Sequence, residues 1–383
     1  MMKFLHVADL HIGKIVNDFS MLEDQKFILE QIKDLAVKHV VEGILIAGDI
    51  YDRAIPPAEA VAVFDKFVTE LSDLGILVFM ISGNHDSPER ISFGEGVLDR
   101  AGVYIAGVLK EELKVVKISR DYGEIQVLLL PFVKPGQVDA RTTEEAVEKL
   151  LSRYWEKENK QDEKVHRILV THYFVTDAGR EPELSDSETT VHVGGLDNVD
   201  AALFEEFDYV ALGHIHKPQR IGEHPIWYAG SPLKYSFGET KQTKQILMIT
   251  IDENGLEEVE AIDLKPLREM RKLKGSLREL MENSFYRDTY GMDYIQAVLT
   301  DKGELIDAMG TLRNAYPNMM QIVREDILKA ETEEFSETAG RRNLAEAKDT
   351  NALFAAFYRE VRGEELGEEG RGIIAELIKE MEA

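Results

Sequence analysis

The sequence contains no cysteine among its 383 residues. A disulfide framework is therefore excluded, and so is any thiolate that could act as a nucleophile or bind a metal ion. A metal site in this chain would have to be built from carboxylates, imidazoles and amides. The absence of cysteine also fits a reducing compartment, and we expect a cytoplasmic protein.

Long apolar runs are missing as well. No stretch of about 18 or more apolar residues is present, so the sequence predicts no membrane span. The first six residues, Met-Met-Lys-Phe-Leu-His, lack the charged, apolar and small-residue zones of a signal peptide. They lead directly into the pattern of a buried strand, which favours a protein without a secretion signal.

Positive charge is scarce, because 45 Lys and Arg stand against 71 Asp and Glu, a formal net charge of −26. Taken alone, this charge argues against a nucleic-acid substrate, since phosphate contacts need Lys and Arg. Net charge is a sum over the whole surface, however. A local basic groove or a pair of metal ions could still receive a phosphodiester.

Short apolar segments alternate with helix-length segments in the first part of the chain. Residues 43–47 are one such apolar run, and residues 21–39 and 57–74 have helical spacing. This alternation predicts βαβ units, and the continuous apolar runs predict strands covered on both faces. A β-rich stretch begins near residue 103. We therefore predict an α/β fold of two packed mixed sheets flanked by helices.

The length of the chain exceeds what one hydrophobic core usually serves, so we expect several domains. Composition and periodicity change near residue 266 and again near residue 329. The predicted division is a large α/β domain at 1–265, a small α+β capping domain at 266–328 with a helix at 304–316, a polar linker at 329–342, and a pair of amphipathic helices at 343–383.

Polar motifs stand in order along the chain, and most of them follow an apolar strand directly. Because strand ends meet at one edge of an α/β sheet, these side chains are expected to converge there. The motifs are Asp9-Leu10-His11, Gly48-Asp49-Ile50-Tyr51-Asp52, Gly83-Asn84-His85-Asp86, Thr171-His172 and Gly213-His214-Ile215-His216.

The spacing within these motifs suggests how the side chains are presented. In an extended segment, residues two apart share one face, so Asp9 with His11 and His214 with His216 would each point into one cavity. The glycines before several motifs would let the backbone turn sharply out of a strand. Carboxylates, imidazoles and an amide without sulfur favour Mn²⁺, Fe²⁺ or Zn²⁺.

Each motif taken alone has an ordinary explanation. A lone histidine, such as His6 or His39, is more often a structural or surface residue than a ligand, and a lone Gly-Asp is usually a turn. Seven candidate ligands at strand ends, in this order, favour a site for two metal ions about 3.5–4 Å apart, an arrangement suited to in-line attack on phosphorus. The candidate ligands are Asp9, His11, Asp49, Asn84, His172, His214 and His216.

The order of motifs resembles that of the calcineurin-like metallophosphoesterase superfamily and, within it, the SbcD-type nucleases that process DNA double-strand breaks. Residues 5–14, 47–57 and 83–87 carry the likeness, together with residues 209–219. Residues 228–239, Tyr-Ala-Gly-Ser-Pro-Leu-Lys-Tyr-Ser-Phe-Gly-Glu, hold no metal ligand, yet they are typical of SbcD-type chains. The likeness is strong over about residues 1–265.

The resemblance implies roles for the ligands and for two neighbours. His85 would lie beside the phosphate and stabilise or protonate the leaving oxygen, and Asp52 would help to orient the site. Asp9, His11, Asp49 and His216 would hold one ion, and Asp49, Asn84, His172 and His214 the other.

The resemblance also implies an activity and partners. It implies a manganese-dependent nuclease subunit, with 3′–5′ double-strand exonuclease and single-strand endonuclease activity, in an SbcCD-type complex associated with the nucleoid. A homodimer would form through helices at about 57–74 and 87–100. The chain has no Gly-x-x-x-x-Gly-Lys-Ser/Thr loop, so ATP would be bound by an SbcC-type ABC ATPase.

The apolar stripes of the terminal helices could dock on the chain's own core or bind a partner. The residues alone leave both open, and the resemblance favours the ATPase. The candidate partner contacts are Phe354, Phe357, Tyr358, Val361, Ile374, Leu377 and Ile378.

DNA would be received by basic residues near the motifs, and we expect weak, salt-sensitive binding by the isolated chain. Two other functions remain open: a small-molecule or phosphoprotein phosphatase on the same fold, and a scaffold subunit for an ABC ATPase. The candidate DNA contacts are Lys14, Arg53, Arg90, Lys217 and Lys234, with Arg220, Lys241 and Lys244 nearby.

Overall fold

The structure is a computed structural model that describes residues 1–158, 162, 164–185, 198–303, 305–325, 367 and 370. For residues 284, 285 and 287 it describes the main chain only. The predicted linker, the seven predicted partner contacts and nearly all of the terminal helix pair lie outside the described residues.

Strands dominate the described part of the chain. In chain order they are β1 (Met2–Val7), β2 (Ile15–Val16), β3 (Phe19–Ser20), β4 (Gly43–Ala47), β5 (Leu77–Ile81), β6 (Val103–Ala106), β7 (Lys114–Arg120), β8 (Gly123–Leu129), β9 (Val165–Thr171), β10 (Phe174–Thr176), β11 (Asn198–Asp200), β12 (Tyr209–Leu212), β13 (Gln219–Arg220), β14 (Ile226–Tyr228), β15 (Gln245–Asp252), β16 (Gly255–Asp263), β17 (Met270–Gly275), β18 (Tyr294–Leu299) and β19 (Met319–Arg324).

Helices connect many of these strands. The α-helices are α1 (Leu22–Lys38), α2 (Ala58–Asp73), α3 (Pro88–Ile91), α4 (Glu95–Leu98), α5 (Thr143–Trp155), α6 (Leu277–Glu282), α7 (Ser284–Tyr290) and α8 (Ala308–Arg313). Short 3-10 helices cover Asp99–Ala101, Pro135–Gln137, Ala201–Phe204 and Phe237–Lys241. None of the helices in the described ranges is long and apolar enough to cross a membrane.

Two mixed sheets form the body of the protein. The first has the order β16-β15-β1-β4-β5-β6, and the second has the order β13-β14-β12-β9-β8-β7. In the first sheet β1, β4, β5 and β6 run parallel to one another. Strand β15 pairs antiparallel with β1, and β16 pairs antiparallel with β15. The central strand β4, Gly-Ile-Leu-Ile-Ala, is buried along its whole length, as its uninterrupted apolar sequence predicts.

The apolar residues divide into layers. One cluster, including Phe4, Phe79 and Tyr209, fills the space between the two sheets. A second lies between the first sheet and helices α1 and α2, and a third between the second sheet and α5. The protein is therefore a sandwich of two packed sheets flanked by helices, and the predicted fold class is confirmed.

A third, smaller sheet follows the sandwich, with the parallel order β17-β18-β19. Helix α6 begins with a capping box, in which Ser276 and Glu279 satisfy each other's main-chain N–H groups. The sheet contacts the sandwich through α1, where the buried carboxylate of Asp24 accepts hydrogen bonds from Arg268 (2.5 Å) and from the Tyr294 hydroxyl (2.7 Å).

Two predicted helices differ from the structure. The helix expected at 304–316 is shortened to α8, because Asp307 adopts a left-handed backbone (φ 44°) and caps the helix by accepting from the Gly310 N–H at 3.1 Å. The helix expected at 87–100 is divided into α3, α4 and a 3-10 turn. Gly94 separates α3 from α4 with a φ of 75°, a conformation that suits glycine.

Candidate metal centre

The seven candidate ligands come together at one edge of the sandwich. Asp9 follows β1, Asp49 follows β4, and Asn84 follows β5 in the first sheet. His172 follows β9 and His214 follows β12 in the second sheet. The edge where these strands end therefore carries candidate ligands from both sheets, as the strand-end argument predicts.

The ligand loops are not extended. Asp9 (φ 52°), His11 (φ 45°), Asp49 (φ 49°) and His214 (φ 99°) all have left-handed backbones. The explanation of the two-residue spacing as strand periodicity is therefore wrong. Such conformations are costly for residues with a side chain and persist where the surroundings impose them, typically at functional sites.

The glycines of the motifs have two different uses. Gly48 has a φ of 83° and makes the sharp turn that was predicted. Gly83 and Gly213 instead provide space. A Cβ on Gly83 would lie 2.1 Å from Asp49 Oδ1, and a Cβ on Gly213 would lie 1.9 Å from the Ala47 carbonyl oxygen. The ligand loops thus pack directly against glycine backbone.

One group of ligands consists of Asp9, His11 and His216. Each is buried and offers one ligand atom, and these atoms lie within 4.8 Å of one another. The Nε2 atoms of the two imidazoles are 3.1 Å apart. The buried Nδ1 atom of His11 has no hydrogen-bond partner among the described residues, and the Asp52 carboxylate lies 3.9 Å from it.

A second group surrounds His172 and includes Asp9 and Asp49. The His172 Nδ1–H donates to the Ala47 carbonyl at 2.8 Å, so Nε2 faces Asp49 Oδ2 at 3.4 Å and Asn84 Oδ1 at 3.0 Å. His214 joins this group through its Nδ1, which lies 3.1 Å from Asn84 Oδ1. His214 and His216 therefore lie in different groups of side chains.

The electrostatics of these groups suit a cation. Burial raises the pKa of Asp9 to about 7. Burial would also raise the pKa of Asp49, but the charges of His172, His11 and His85, with a hydrogen bond from His172, together hold that pKa well below its usual range. For His172, burial opposes protonation, yet the charge of Asp49 and its hydrogen bond, together with the charge of Asp9 and the hydrogen bond to Ala47, raise the pKa to about 9. Protons on Asp9 and His172 thus offset the buried negative charge, and divalent ions fit this oxygen and nitrogen donor set in place of those protons.

His85 lies at the rim, with 43% of its side chain exposed. Its Nδ1–H donates to the Asp52 carbonyl at 3.0 Å, and its main-chain N–H donates to Asp49 Oδ1 at 2.9 Å. The ring therefore presents Nε2 toward the centre, 4.0 Å from Asp49 Oδ2. His11, Asp52 and His85 also form a compact group of possible ligands.

Asp86 supports the ligand loops, a role that was not assigned from the sequence. Its buried carboxylate accepts from the N–H groups of Ile50 (3.1 Å), Tyr51 (2.9 Å) and Gly83 (2.9 Å). It thereby joins the loop after β4 to the loop after β5. Its presence in the Gly-Asn-His-Asp motif was the available signal.

Gln25 and Tyr235 support the loop that carries Asp9 and His11. Gln25, buried in α1, donates to the His11 carbonyl at 2.7 Å and accepts from the Gly13 N–H at 2.9 Å. The Tyr235 hydroxyl donates to the Leu10 carbonyl at 2.5 Å. Gln25 gave no signal in the sequence, because it reads as an ordinary polar helix residue.

Two of the predicted DNA contacts form ion pairs within the protein. Lys244 is buried, with its Nζ 2.7 Å from Glu239 Oε2. Lys234 has 11% of its side chain exposed and pairs with Glu269 at 2.7 Å. These positions do not favour either lysine as a contact for a phosphate group.

The other basic candidates lie closer to solvent. Lys14 pairs with Asp52 at 2.7 Å beside the site, and Lys217 pairs with Glu183. The candidates with exposed side chains are Arg53, Arg90, Arg220 and Lys241.

Two family models match parts of this chain. Residues 2–218 match the family model described as calcineurin-like phosphoesterase, and residues 266–362 match the model described as type 5 capsule protein repressor C-terminal domain. A dimetal phosphatase from Danio rerio is similar over 69% of this chain and 99% of its own, at 12% identity and a TM-score of 0.41.

Two curated relatives match nearly the whole chain. The SbcD subunit of nuclease SbcCD from Staphylococcus epidermidis is 31% identical over 372 residues, covering 96% of this chain and 95% of that protein. The corresponding SbcD protein from Staphylococcus saprophyticus is 30% identical over 374 residues, covering 95% and 94%. The chain therefore belongs to the SbcD family of the calcineurin-like phosphoesterases.

Proposed function

We propose that this chain is the metal-dependent DNA nuclease subunit of an SbcCD-type complex that processes DNA ends in repair and recombination. The observation that carries the proposal is the buried donor set at the strand ends, in a chain that aligns with SbcD relatives along 96% of its length. We propose two divalent ions, Mn²⁺ by preference, as the cofactors.

The proposed ligand sets share Asp49, whose carboxylate lies near both groups of imidazoles. Bound there, two divalent ions would supply Lewis-acid activation of the phosphodiester and of water. The proposed sets are Asp9, His11, Asp49 and His216 for one ion, and Asp49, Asn84, His172 and His214 for the other.

The proposed role of His85 follows from its hydrogen bond. Because Nδ1 donates to the Asp52 carbonyl, the second nitrogen, Nε2, is the one that holds or releases a proton toward the site. His85 would stabilise the leaving oxygen of the DNA strand and donate a proton to it. Asp52 would hold the ring in place, and its carboxylate would in turn be held by Lys14 at 2.7 Å.

DNA binding is proposed near this edge, with Arg53 and Arg90, whose side chains are exposed, as candidate contacts. With a net charge of −26, the isolated chain would bind DNA weakly and with strong salt dependence. The partner ATPase would add binding surface, and residues 343–383 are proposed to hold it. The complex would act in the cytoplasm, on the nucleoid.

A homodimer is proposed through α2 and the segment that follows the third motif. Phe93 is 86% exposed and Val61 42%, and both line a groove together with Phe64 and Val68. Val97, in the same segment as Phe93, is 74% exposed. An apolar surface of this kind is typical of an interface between protein chains.

The test is a comparison of substrates in the presence of Mn²⁺. The chain with and without its ATPase is given linear double-stranded DNA labelled at its 3′ or 5′ end, circular single-stranded DNA, and p-nitrophenyl phosphate. We expect cleavage of both DNAs, loss from the 3′ ends, and no cleavage after chelation. Turnover of the small ester alone would favour a phosphatase. ATPase binding without any hydrolysis would favour a scaffold.

A further inference from the structure

A buried ion pair lies behind the group formed by Asp9, His11 and His216. Glu239 is fully buried, Lys244 is 4% exposed, and Lys244 Nζ lies 2.7 Å from Glu239 Oε2. Removing two charges from water is costly, and such a pair often adds nothing to stability compared with apolar residues. Neither residue belongs to the proposed ligand sets, so the pair calls for another explanation.

The carboxylate of this pair faces a proposed ligand. Glu239 Oε1 lies 3.7 Å from Nδ1 of His216, an electrostatic contact longer than a hydrogen bond. The opposite nitrogen of the ring, Nε2, lies 3.1 Å from Nε2 of His11. A negative charge beside Nδ1 favours the proton on that nitrogen, which leaves the Nε2 lone pair for a cation.

Lys244 contacts the same histidine through its main chain. Its Nζ donates to the His216 carbonyl at 2.9 Å and to the Ser231 hydroxyl at 3.0 Å. The Ser231 N–H also donates to the His216 carbonyl, at 3.2 Å. His216 is therefore held on two sides, at the ring by Glu239 and at the backbone by Lys244 and Ser231.

The imidazole of the other group is held differently. His172 Nδ1–H donates to the uncharged carbonyl of Ala47 at 2.8 Å. A carboxylate behind an imidazole raises the basicity of the ligating nitrogen more than a carbonyl does, because the carboxylate carries a full negative charge. The two halves of the centre thus differ in the support behind their histidines.

We propose that Glu239 is a positioning residue that fixes His216 as an Nε2 ligand and strengthens metal binding at the half formed with Asp9 and His11. Lys244 keeps the carboxylate in place. This inference rests on the proposed two-metal function. It also gives a use to residues 228–239, which contain Ser231 and Glu239 but no proposed ligand.

The test is Mn²⁺ titration of the full-length, metal-free chain by calorimetry and electron paramagnetic resonance. In Glu239→Gln we expect one of the two ions to bind about 10–100-fold more weakly, and the other to keep its wild-type affinity. Glu258→Gln is the matched control, since it removes an exposed carboxylate on β16. Unchanged binding in Glu239→Gln, or equal weakening of both ions, would overturn the inference.

Glu239→Gln also leaves Lys244 buried beside an uncharged partner and could unfold the chain. The double variant Glu239→Gln/Lys244→Met removes both charges together and is followed by thermal unfolding. We expect one ion to remain weakly bound in it. Recovery of wild-type affinity in the double variant would assign Glu239 to fold stability alone and contradict the inference.

The outcomes for the two proposals are separable. A wild-type chain that binds two Mn²⁺ ions without cleaving DNA contradicts the nuclease proposal, and the selective loss of one ion in Glu239→Gln would still support a positioning role. A wild-type chain that cleaves DNA, beside a Glu239→Gln variant that binds both ions normally, overturns the positioning role alone.

Discussion

At the scale of single residues, the metal centre depends on positions where a side chain cannot fit. A Cβ on Gly213 would lie 1.9 Å from the Ala47 carbonyl oxygen and 2.6 Å from His172 Nδ1. No rotamer relieves this overlap, because the Cβ is fixed to the backbone. In Gly213→Ala we expect the free energy of unfolding to fall by about 1–3 kcal/mol and Mn²⁺ binding to weaken.

Calorimetric Mn²⁺ titration and chemical denaturation measure these two effects. Gly136→Ala is the control, since a Cβ there meets no atom of the described part of the chain within 4 Å. If Gly213→Ala matched Gly136→Ala in stability and metal binding, the close approach of the two loops would be wrong.

Substitution of His85 is expected to affect DNA cleavage without affecting metal binding. His85→Asn removes the nitrogen proposed to protonate the leaving oxygen, and the half-exposed side chain lies outside the proposed ligand sets. We expect single-turnover DNA cleavage to fall about 100–10,000-fold, with Mn²⁺ binding unchanged. Cleavage at the wild-type rate would remove His85 from the mechanism. Loss of an ion would make it a ligand in the group with His11 and Asp52.

At the scale of elements, the first turn of α1 joins two parts of the molecule. Gln25 hydrogen-bonds to the main chain of His11 and Gly13. Its neighbour Asp24 accepts hydrogen bonds from Arg268, just before β17, and from Tyr294 in β18. The first turn of α1 therefore contacts both the loop that carries Asp9 and His11 and the three-stranded sheet.

Gln25→Leu tests the support of the ligand loop. The change leaves the buried His11 carbonyl and Gly13 N–H without this partner, and we expect a loss of about 1–3 kcal/mol in the free energy of unfolding. Chemical denaturation of the metal-free chain measures it. Gln31→Leu is the matched control, because Gln31 makes the same two kinds of bond, to the main chain of Lys265, at an exposed position. Equal losses in the two variants would contradict a special role for Gln25.

The elements themselves were largely predictable from the sequence. The run at 43–47 was predicted as a strand and is β4 with those bounds, because strands buried on both faces have continuous apolar sequences. The convergence of the motifs also followed from strand order. These features depend on local periodicity and on the rule that parallel strands end at one edge.

The conformation of the ligand loops was not predictable in the same way. The left-handed backbone of Asp9 accompanies a hydrogen bond from its N–H to the Gly48 carbonyl at 3.2 Å, and the His11 N–H donates to the Asp49 carbonyl at 3.0 Å. Both bonds join segments far apart in the chain. Local sequence carries no record of such partners, so an extended geometry was expected where the folded protein imposes another.

At the scale of the whole molecule, a histidine links the two sheets. His6 in β1 contacts β12 of the second sheet, with its Nδ1 2.9 Å from the Tyr209 hydroxyl and its Nε2 3.1 Å from the Leu212 carbonyl. It is fully buried between the sheets, and burial lowers its pKa to about 3. The folded protein therefore holds this imidazole uncharged in its core.

The consequence is a dependence of stability on pH. Below about pH 6.5 the unfolded chain protonates His6 while the folded chain does not, so the free energy of unfolding falls as pH decreases, by up to about 1.4 kcal/mol per pH unit. His6→Gln keeps a donor and an acceptor but cannot titrate, and we expect a shallower fall in the free energy of unfolding between about pH 6.5 and 4.5.

Denaturation of the chelator-treated chain, followed by the fluorescence of Trp155 and Trp227, measures the dependence on pH for both proteins. The other buried ionisable groups are common to both proteins, so the difference between the two curves reports His6. Parallel curves for wild type and His6→Gln would mean that the folded protein takes up this proton.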